Sequence, residues 1–253
     1  MKISIITVCY NSESTIEDTI KSVLSQDYDD IEYIIIDGGS TDRTLDIVNK
    51  YADRIESVVS EPDNGIYDAM NKGIEIATGE LIGILNSDDL FASERTISEV
   101  AEKVKSLPRN SLFYGAVAIV DREEIDKVRR YYSIKRFTKR KLKVGIMPPH
   151  PATFVFKSVY EDIGSYQTDY RIAADFEFYV RATIKHDIPA VNIGVHVVNM
   201  RDGGISTSGI NFFKISSGEM TRALKNNGVW SNSLITSIRL PLKFWSKISG
   251  RPL

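Results

Sequence analysis

Residues 32–40, EYIIIDGGS, decide the fold: a short β-branched apolar run stops on Asp37 and breaks into two glycines. A run this continuous does not suit a strand with one wet face, so it implies a strand covered on both sides, as in a parallel sheet. The same shape recurs around it. Ile3 to Val8 gives way to Tyr10-Asn11, Ile55 to Ser60 to Glu61-Pro62-Asp63-Asn64-Gly65, and Leu81 to Leu85 to Asn86-Ser87-Asp88-Asp89. Between the runs the period becomes helical. Ser14-Thr15-Ile16-Glu17 has the spacing of a capping box, and Ile16, Ile20, Val23 and Leu24 form one apolar face. Leu45, Val48 and Tyr51/Ala52 predict a second helix, and Ile66, Met70, Gly73 and Ala77 a third. This alternation predicts an α/β fold with a Rossmann-like, mostly parallel central sheet and helices on both faces. After residue 110 the pattern loosens: Leu112 to Val120 and Val191 to Met200 read as strands and Asp175 to Lys185 as a helix, a mixed, partly antiparallel second half.

The chain has 253 residues, 42% hydrophobic and 26% charged, which fits one large globular domain or two small ones and excludes collagen-like and wholly disordered classes. Its single cysteine, Cys9, cannot form an internal disulfide or a zinc cluster, so a reducing, cytoplasmic location is expected. No run approaches the roughly 20 apolar residues of a bilayer-spanning helix. The start, MKISIITVCYN, reads as a first strand and not as a secretory signal. A net charge of −2 gives no general attraction to nucleic acid, and no nucleic-acid partner is expected.

In a parallel sheet the four polar strand ends fall along one rim, where open α/β folds bind ligands. Any one of these clusters reads equally well as turn and cap residues. All four together, with the adjacent acids Asp88 and Asp89, point to a site that takes Mg²⁺ or Mn²⁺ with a diphosphate. Neither GxxxxGK[ST] nor a GxGxxG after a strand is present, which weighs against ATPase and dinucleotide-oxidoreductase classes.

The runs SIITVCYNSESTIEDTIKSVLSQDY, YIIIDGGSTDRT and SEPDNGIYDAMNKGIEIATGELIGILNSDD resemble, in order and spacing over residues 3 to about 90, the nucleotide-sugar half of family 2 glycosyltransferases with the GT-A fold. HPATFVF (150–156), YRIAADFEFYVRA (170–182) and DGGIS (202–206) resemble the acceptor half, in the subgroup that builds bacterial capsule, exopolysaccharide or lipopolysaccharide. The resemblance implies a metal-dependent inverting glycosyltransferase with a nucleotide-sugar donor, usually UDP-linked, and a saccharide or polyprenyl-diphosphate-linked saccharide acceptor. It implies that Thr7, Val8, Tyr10 and Asn11 line the nucleotide, that Asp37 bonds the base, and that Ser40, Asp63 and Asn71 flank the nucleoside. Asp88 is implied as ligand of Mn²⁺ or Mg²⁺. Where the family commonly has Asp-x-Asp, this chain reads Asn86-Ser87-Asp88, so Asn86 is left to bond a ribose hydroxyl without adding charge.

The resemblance also implies a general base, and Asp175 occupies that position, although Ala174 stands where relatives carry a preceding acid; Glu177 is the reserve. As a carboxylate Asp175 is already ionised at neutral pH, whereas an isolated Asp at a helix start is more often a cap. His150, in a Pro-Pro-His-Pro turn, reads as an acceptor or phosphate contact or as a turn residue of no role; His196, in an apolar run, reads as core. Arg201 beside Asp202-Gly203-Gly204-Ile205-Ser206 suits a lid that meets the diphosphate, or an ordinary glycine turn.

Two segments hold the cations. Arg129 to Lys143 has eight basic residues and no acid, and after Glu219 come Arg222, Lys225, Arg239, Lys243, Lys247 and Arg251, again with no acid. Trp230, Leu234, Ile238, Leu242 and Trp245 recur at helical spacing beside Arg239, Lys243 and Lys247. This predicts C-terminal amphipathic helices suited to the inner face of a membrane, a peripheral location, or else docked on the protein's own core. The expected organisation is a domain over 1–210, with a donor half (1–105) and an acceptor half (106–210), and a basic extension over 211–253. Competing classes are a sugar-nucleotide pyrophosphorylase, whose glycine-rich, arginine-containing first loop is missing between Val8 and Ser14, and a non-catalytic saccharide-binding module.

Overall fold

The computed structural model describes residues 1–203 and 209–242. The first half runs β1 (Ile3–Cys9), α1 (Ile16–Leu24), β2 (Ile31–Asp37), α2 (Thr44–Asn49), β3 (Ser57–Ser60), α3 (Ile66–Ile76), β4 (Leu81–Asn86), β5 (Asp89–Phe91) and α4 (Thr96–Val104). The second continues with β6 (Leu112–Val120), β7 (Val128–Tyr132), α5 (Lys139–Lys143), β8 (Thr153–Phe156), α6 (Lys157–Ile163), α7 (Ala174–Val180), β9 (Ala190–Arg201), α8 (Gly209–Asn226) and α9 (Ser233–Ser237). The nine strands among the described residues join one sheet in the order β3-β2-β1-β4-β8-β6-β9-β5, with β7 also paired to β6.

The four expected parallel strands are present as β3-β2-β1-β4. β1, β2 and β4 are buried nearly throughout, as their unbroken Ile/Val content requires. β3 starts at Ser57 because Ala52–Arg54 form a 3-10 turn that uses up the residues before it. The second half is mixed: β8 runs antiparallel to both β4 and β6, β9 parallel to β6, and β5 antiparallel to β9.

Local details differ from the sequence reading. The capping box does not form: Thr15 is the N-cap without a side-chain bond, and Glu17 instead accepts from the Tyr51 hydroxyl at 2.8 Å and pairs with Lys21. The segment 175–185 is helical from Ala174 but passes into a π-turn at Arg181–Lys185. Within the expected extension over 211–253, α8 is not separate from the domain, because its Ala223 and Leu224 are buried in the same core as the sheet; residues 243–253 lie outside the described residues. Of the cationic run 129–143, Arg129 and Arg130 lie in β7 and Lys139, Arg140, Lys141 and Lys143 in α5, while Lys135 and Arg136 lie on the connection between them. No helix among the described residues is long and apolar enough to cross a membrane.

Candidate active site

Strand register creates the rim. Across β3-β2-β1-β4 Asp37 lies opposite both Ser60 and Cys9, and Val8 lies opposite Asn86, so the polar residues that follow each strand emerge side by side. The loops are then stitched together. Asn11, held at a positive φ of 48°, donates its N–H to Ser40 Oγ (2.8 Å) and accepts from Thr41 N at Oδ1 (2.9 Å). Ser12 Oγ meets Ser87 Oγ at 2.9 Å, tying the first loop to the fourth.

Depth along the rim separates the expected nucleotide residues. Thr7 and Val8 are core residues: Thr7 is buried and its Oγ1 accepts from Tyr33 OH, so neither lines the rim. Asp37 is also wholly buried. Its carboxylate accepts from Gly39 N (3.1 Å), Ser40 N (3.0 Å), Ser40 Oγ (2.5 Å) and Ser60 Oγ (2.7 Å), so it shapes the 38–40 turn and is spent on that turn, not offered to a base. Ser40 is likewise engaged on both sides. The groups that do reach outward are Tyr10, 62% exposed, and Asp63, half-buried. They flank Gly38, where any side chain would collide with the Asp63 carboxylate and approach the Tyr10 ring at 3.5 Å. An aromatic face and a carboxylate on either side of bare backbone suit a flat, hydrogen-bonding ring.

The fourth loop holds the acids. Asp88 is half-buried, and burial raises its pKa above the usual carboxylate range, opposed by its own backbone and by Arg201 and Arg122. Asp89 is buried on β5, and desolvation together with the Asp88 charge pushes its pKa well up. Asn86 donates to Asp89 Oδ2 at 3.0 Å, which leaves Asn86 Oδ1 and Asp89 Oδ1 buried without a hydrogen-bond partner. Such orphaned acceptors are costly unless a ligand or cation meets them. Among the described residues no three acidic, His or Cys side chains gather into a cage. Mg²⁺ or Mn²⁺ shared with substrate phosphates needs only one or two carboxylates, so the half-buried Asp88, on the same loop as the unpartnered oxygens of Asn86 and Asp89, fits such an ion. Arg201 is not displayed to solvent: it is buried, with Nη2 on Asp18 Oδ2 (2.5 Å) and Nη1 on the Asp88 carbonyl (3.2 Å), so it fastens the acidic loop to α1. Gly204 to Ser206 of the expected lid lie outside the described residues.

Asp175 opens α7 and is half-buried. Its Oδ1 accepts from Phe176 N at 2.7 Å and lies 3.4 Å from Tyr67 OH. Four further contacts fix this helix start. Tyr67 OH donates to Ile172 O (2.6 Å), and Glu219 of α8 accepts from three successive backbone N–H groups, those of Arg171 (2.8 Å), Ile172 (2.9 Å) and Ala173 (2.9 Å). Asn71 does not face a nucleoside: its amide exchanges two bonds with the backbone of Tyr166 (2.8 and 2.9 Å) and pins α3 to the second half. Glu177 is not a reserve base, since it is buried in a paired contact with Arg181 at 3.1 Å. His150 Nε2 meets Tyr166 OH at 2.9 Å; burial lowers its pKa, with Asp175 opposing, so the ring stays neutral near pH 7. His196 is half-buried against Tyr131 and not in the core. Beside Tyr67 a cleft of about 200 Å³ opens between residues 64–67 and 168–171.

Residues 4–164 match the family model described as glycosyl transferase family 2, well over half of the chain. The chain belongs to that family. The glycosyltransferase is 36% identical over 187 residues to an uncharacterized glycosyltransferase of Mycobacterium tuberculosis, covering 72% of this chain and 69% of the relative. It is 40% identical over 99 residues, 39% of each chain, to the Escherichia coli UDP-Glc:alpha-D-GlcNAc-diphosphoundecaprenol beta-1,3-glucosyltransferase WfaP. Among solved structures, residues 1–349 of S. aureus TarS with UDP-GlcNAc align with a TM-score of 0.69 at 19% identity, over 96% of this chain and 73% of that one. The alignment with a longer TarS chain spans 40% of its length. The mannosyltransferase PcManGT of Pyrobaculum calidifontis, solved with GDP-Man and Mn²⁺, aligns with a TM-score of 0.64 at 20% identity, over 89% and 63%. At these identities the likeness fixes the fold, which is GT-A.

The family match takes in the whole rim and stops before α7, so Asp175 and its supports lie beyond it. Of those supports the sequence reading missed Tyr67 and Glu219. Glu219 did carry a signal: it is the last acid before an acid-free, basic end, and a lone acid there invites the question of what it holds.

Proposed function

We propose that this glycosyltransferase moves a sugar from a UDP-sugar, with inversion at the anomeric carbon, onto a lipid-linked saccharide during assembly of a cell-surface polysaccharide. The observation that carries the reading is the rim itself: an outward Tyr10–Asp63 slot, and a fourth loop with a half-buried Asp88 and an orphaned Asn86 oxygen, on loops stitched to one another. Tyr10 would stack on the base and Asp63 accept its ring N–H, with Asp37 behind them as the builder of the turn. Asp88 and the Asn86 oxygen would hold Mn²⁺ or Mg²⁺, which when bound neutralises the departing diphosphate. The UDP-glucose named for the E. coli relative, and its diphosphoundecaprenol acceptor, support the donor and the acceptor class. An acceptor of that kind lies in the inner membrane, and we place the enzyme at its cytoplasmic face as a peripheral protein.

In the transfer step the acceptor oxygen bonds to the anomeric carbon as the bond from that carbon to the diphosphate oxygen breaks, and the hydroxyl proton passes to Asp175. Phe176 N orients that carboxylate through Oδ1, with the Tyr67 oxygen 3.4 Å away, while Glu219 and Tyr67 hold the chain on which it sits. Positioned proton removal is worth roughly 10²- to 10⁴-fold. The test is a panel of nucleotide sugars with Mn²⁺ or Mg²⁺, with and without EDTA, and with an undecaprenyl-diphosphate-linked acceptor. Asp88→Ala should abolish metal-dependent UDP release, and Asp175→Asn should bind UDP as the parent does while transfer falls by that factor. Transfer at the parental rate in Asp175→Asn would remove the assigned base.

A further inference from the structure

Residues 230–242 are built inside out. In a surface helix the apolar side meets the core and the polar side meets water. Here the buried positions are Ser231, Thr236 and Arg239, while Leu234 is 81% exposed and Ile238, Leu240 and Leu242 are also exposed, with Trp230 at 78% just ahead of α9. The inward side is held by polar contacts to α8. Arg239 donates to Ser216 Oγ (2.8 Å), Ser217 Oγ (3.1 Å) and the Thr236 carbonyl (3.2 Å) and lies over the Phe213 ring, and Thr236 Oγ1 meets Thr221 Oγ1 at 3.2 Å. The expected basic stripe is therefore wrong at Arg239, which is an internal anchor; Lys243, Trp245, Lys247 and Arg251 lie outside the described residues.

Charge comes instead from a neighbour remote in sequence. Gly145, which follows α5, is packed so closely on α9 that an added Cβ would stand 2.9 Å from Thr236 O and 3.1 Å from Arg239 Cδ. That contact sets the end of α5 beside the apolar segment. Lys135, Arg136, Arg140 and Lys143 around α5 are exposed and, among the described residues, form no ion pair. We propose that residues 230–242 and the cationic end of α5 form one docking surface for an anionic lipid bilayer, with Trp230 and Leu234 entering the interface and the cations meeting headgroups. This deepens the membrane placement proposed above and is independent of the donor chemistry. A second copy of the chain fits less well. A two-fold contact would set this surface against itself, cations beside cations, and neither 129–143 nor the chain after Glu219 contains an acid to pair with them.

The full chain should sediment with vesicles of equal parts phosphatidylglycerol and phosphatidylcholine and stay in solution with phosphatidylcholine alone. Trp230→Ser/Leu234→Ser removes two side chains that support nothing in the fold and should lower the partition coefficient at least tenfold. Arg140→Gln/Lys143→Gln should lower it roughly 25-fold at low salt, from about fivefold per cation, and neither pair should change the melting temperature or UDP binding. Parental sedimentation by both pairs would overturn the surface, as would failure of the parent to sediment while it binds UDP. So would a concentration-dependent dimer dissolved by Leu234→Ser in the absence of vesicle binding. Vesicle binding without UDP binding would instead leave this surface standing and remove the proposed donor.

Discussion

Replacing Glu219 by alanine tests the support of the proposed base, Asp175. The carboxylate accepts from the N–H groups of Arg171, Ile172 and Ala173, at 2.8 to 2.9 Å. These three sites are unequal: Arg171 is exposed, Ile172 half-buried and Ala173 buried. Water replaces the lost bond at Arg171 at little cost, whereas the N–H of Ala173 is left unpaired, which costs about 1–3 kcal/mol. Adding the loss of a charge-assisted bond at Ile172 gives about 3 kcal/mol in all. For a chain of this size that lowers the melting temperature by roughly 6–12 °C. Asp175 stands two residues beyond Ala173, so slack in this turn moves the proposed base directly. Displacement by about 1 Å can cost on the order of 10²-fold in rate. The donor rim sits on other elements, so donor KM should hold while kcat falls. Glu219→Gln retains one acceptor oxygen and should lose about half of the stability and less of the rate. Thermal unfolding and steady-state transfer read both effects. An alanine variant that melts with the parent and turns over at its rate would show that α7 is held by its packing alone, and the argument from the three bonds would fail.

Three further outcomes follow from other contacts. Burial alone would raise the pKa of Glu32, but hydrogen bonds from Lys2, Ser4 and Thr78 outweigh it and hold the carboxyl at about 2, against roughly 4.3 in an unfolded chain. Because the folded pKa is the lower one, about 3 kcal/mol of stability is present above pH ~4.3 and is lost as pH falls toward 2; in Glu32→Gln acid unfolding should lose that steepness, and an unaltered pH profile would contradict the assignment. Glu177→Ala strands the buried Arg181 guanidinium and should cost about 3–5 kcal/mol in urea unfolding; a fully stable variant with no activity would restore Glu177 as a catalytic candidate. Gly38→Ala drives a methyl group into the Asp63 carboxylate and should weaken UDP binding by about tenfold at unchanged melting temperature, a loss of roughly 1.4 kcal/mol by calorimetry; parental affinity would move the base away from the Tyr10–Asp63 slot.

The rim was legible because its signal is local. Where a β-branched run stops, the strand stops, and parallel register then carries Asn11, Asp37, Ser60 and Asn86 to one edge without further information. Which of those side chains faces outward was not legible. Asp37 and Asp63 are the same residue type in similar post-strand positions, and only the folding of the 61–65 loop over Gly38 leaves one in the wall and the other at the surface. Glu177 had a readable clue, since Glu-x-x-x-Arg places it one helical turn from Arg181, the spacing of an internal ion pair.

The C-terminal segment shows a deeper limit of pattern reading. A helical period in Leu234, Ile238 and Leu242 establishes that two faces exist; it does not say which one meets the protein. That choice belongs to the partner element. α8 turns Ser216, Ser217 and Thr221 toward the segment, and a polar surface of this kind selects Thr236 and Arg239 over leucines, because a buried hydroxyl without a partner costs more than an exposed leucine. Had α8 presented leucines there, the same residues 230–242 would have packed the other way round, with Arg239 in water and the apolar stripe sealed. The outward leucines are thus a consequence of α8 as much as of their own sequence. Replacing Ser216, Ser217 and Thr221 together by leucine should invert the segment and remove vesicle binding without touching a single residue of the docking surface.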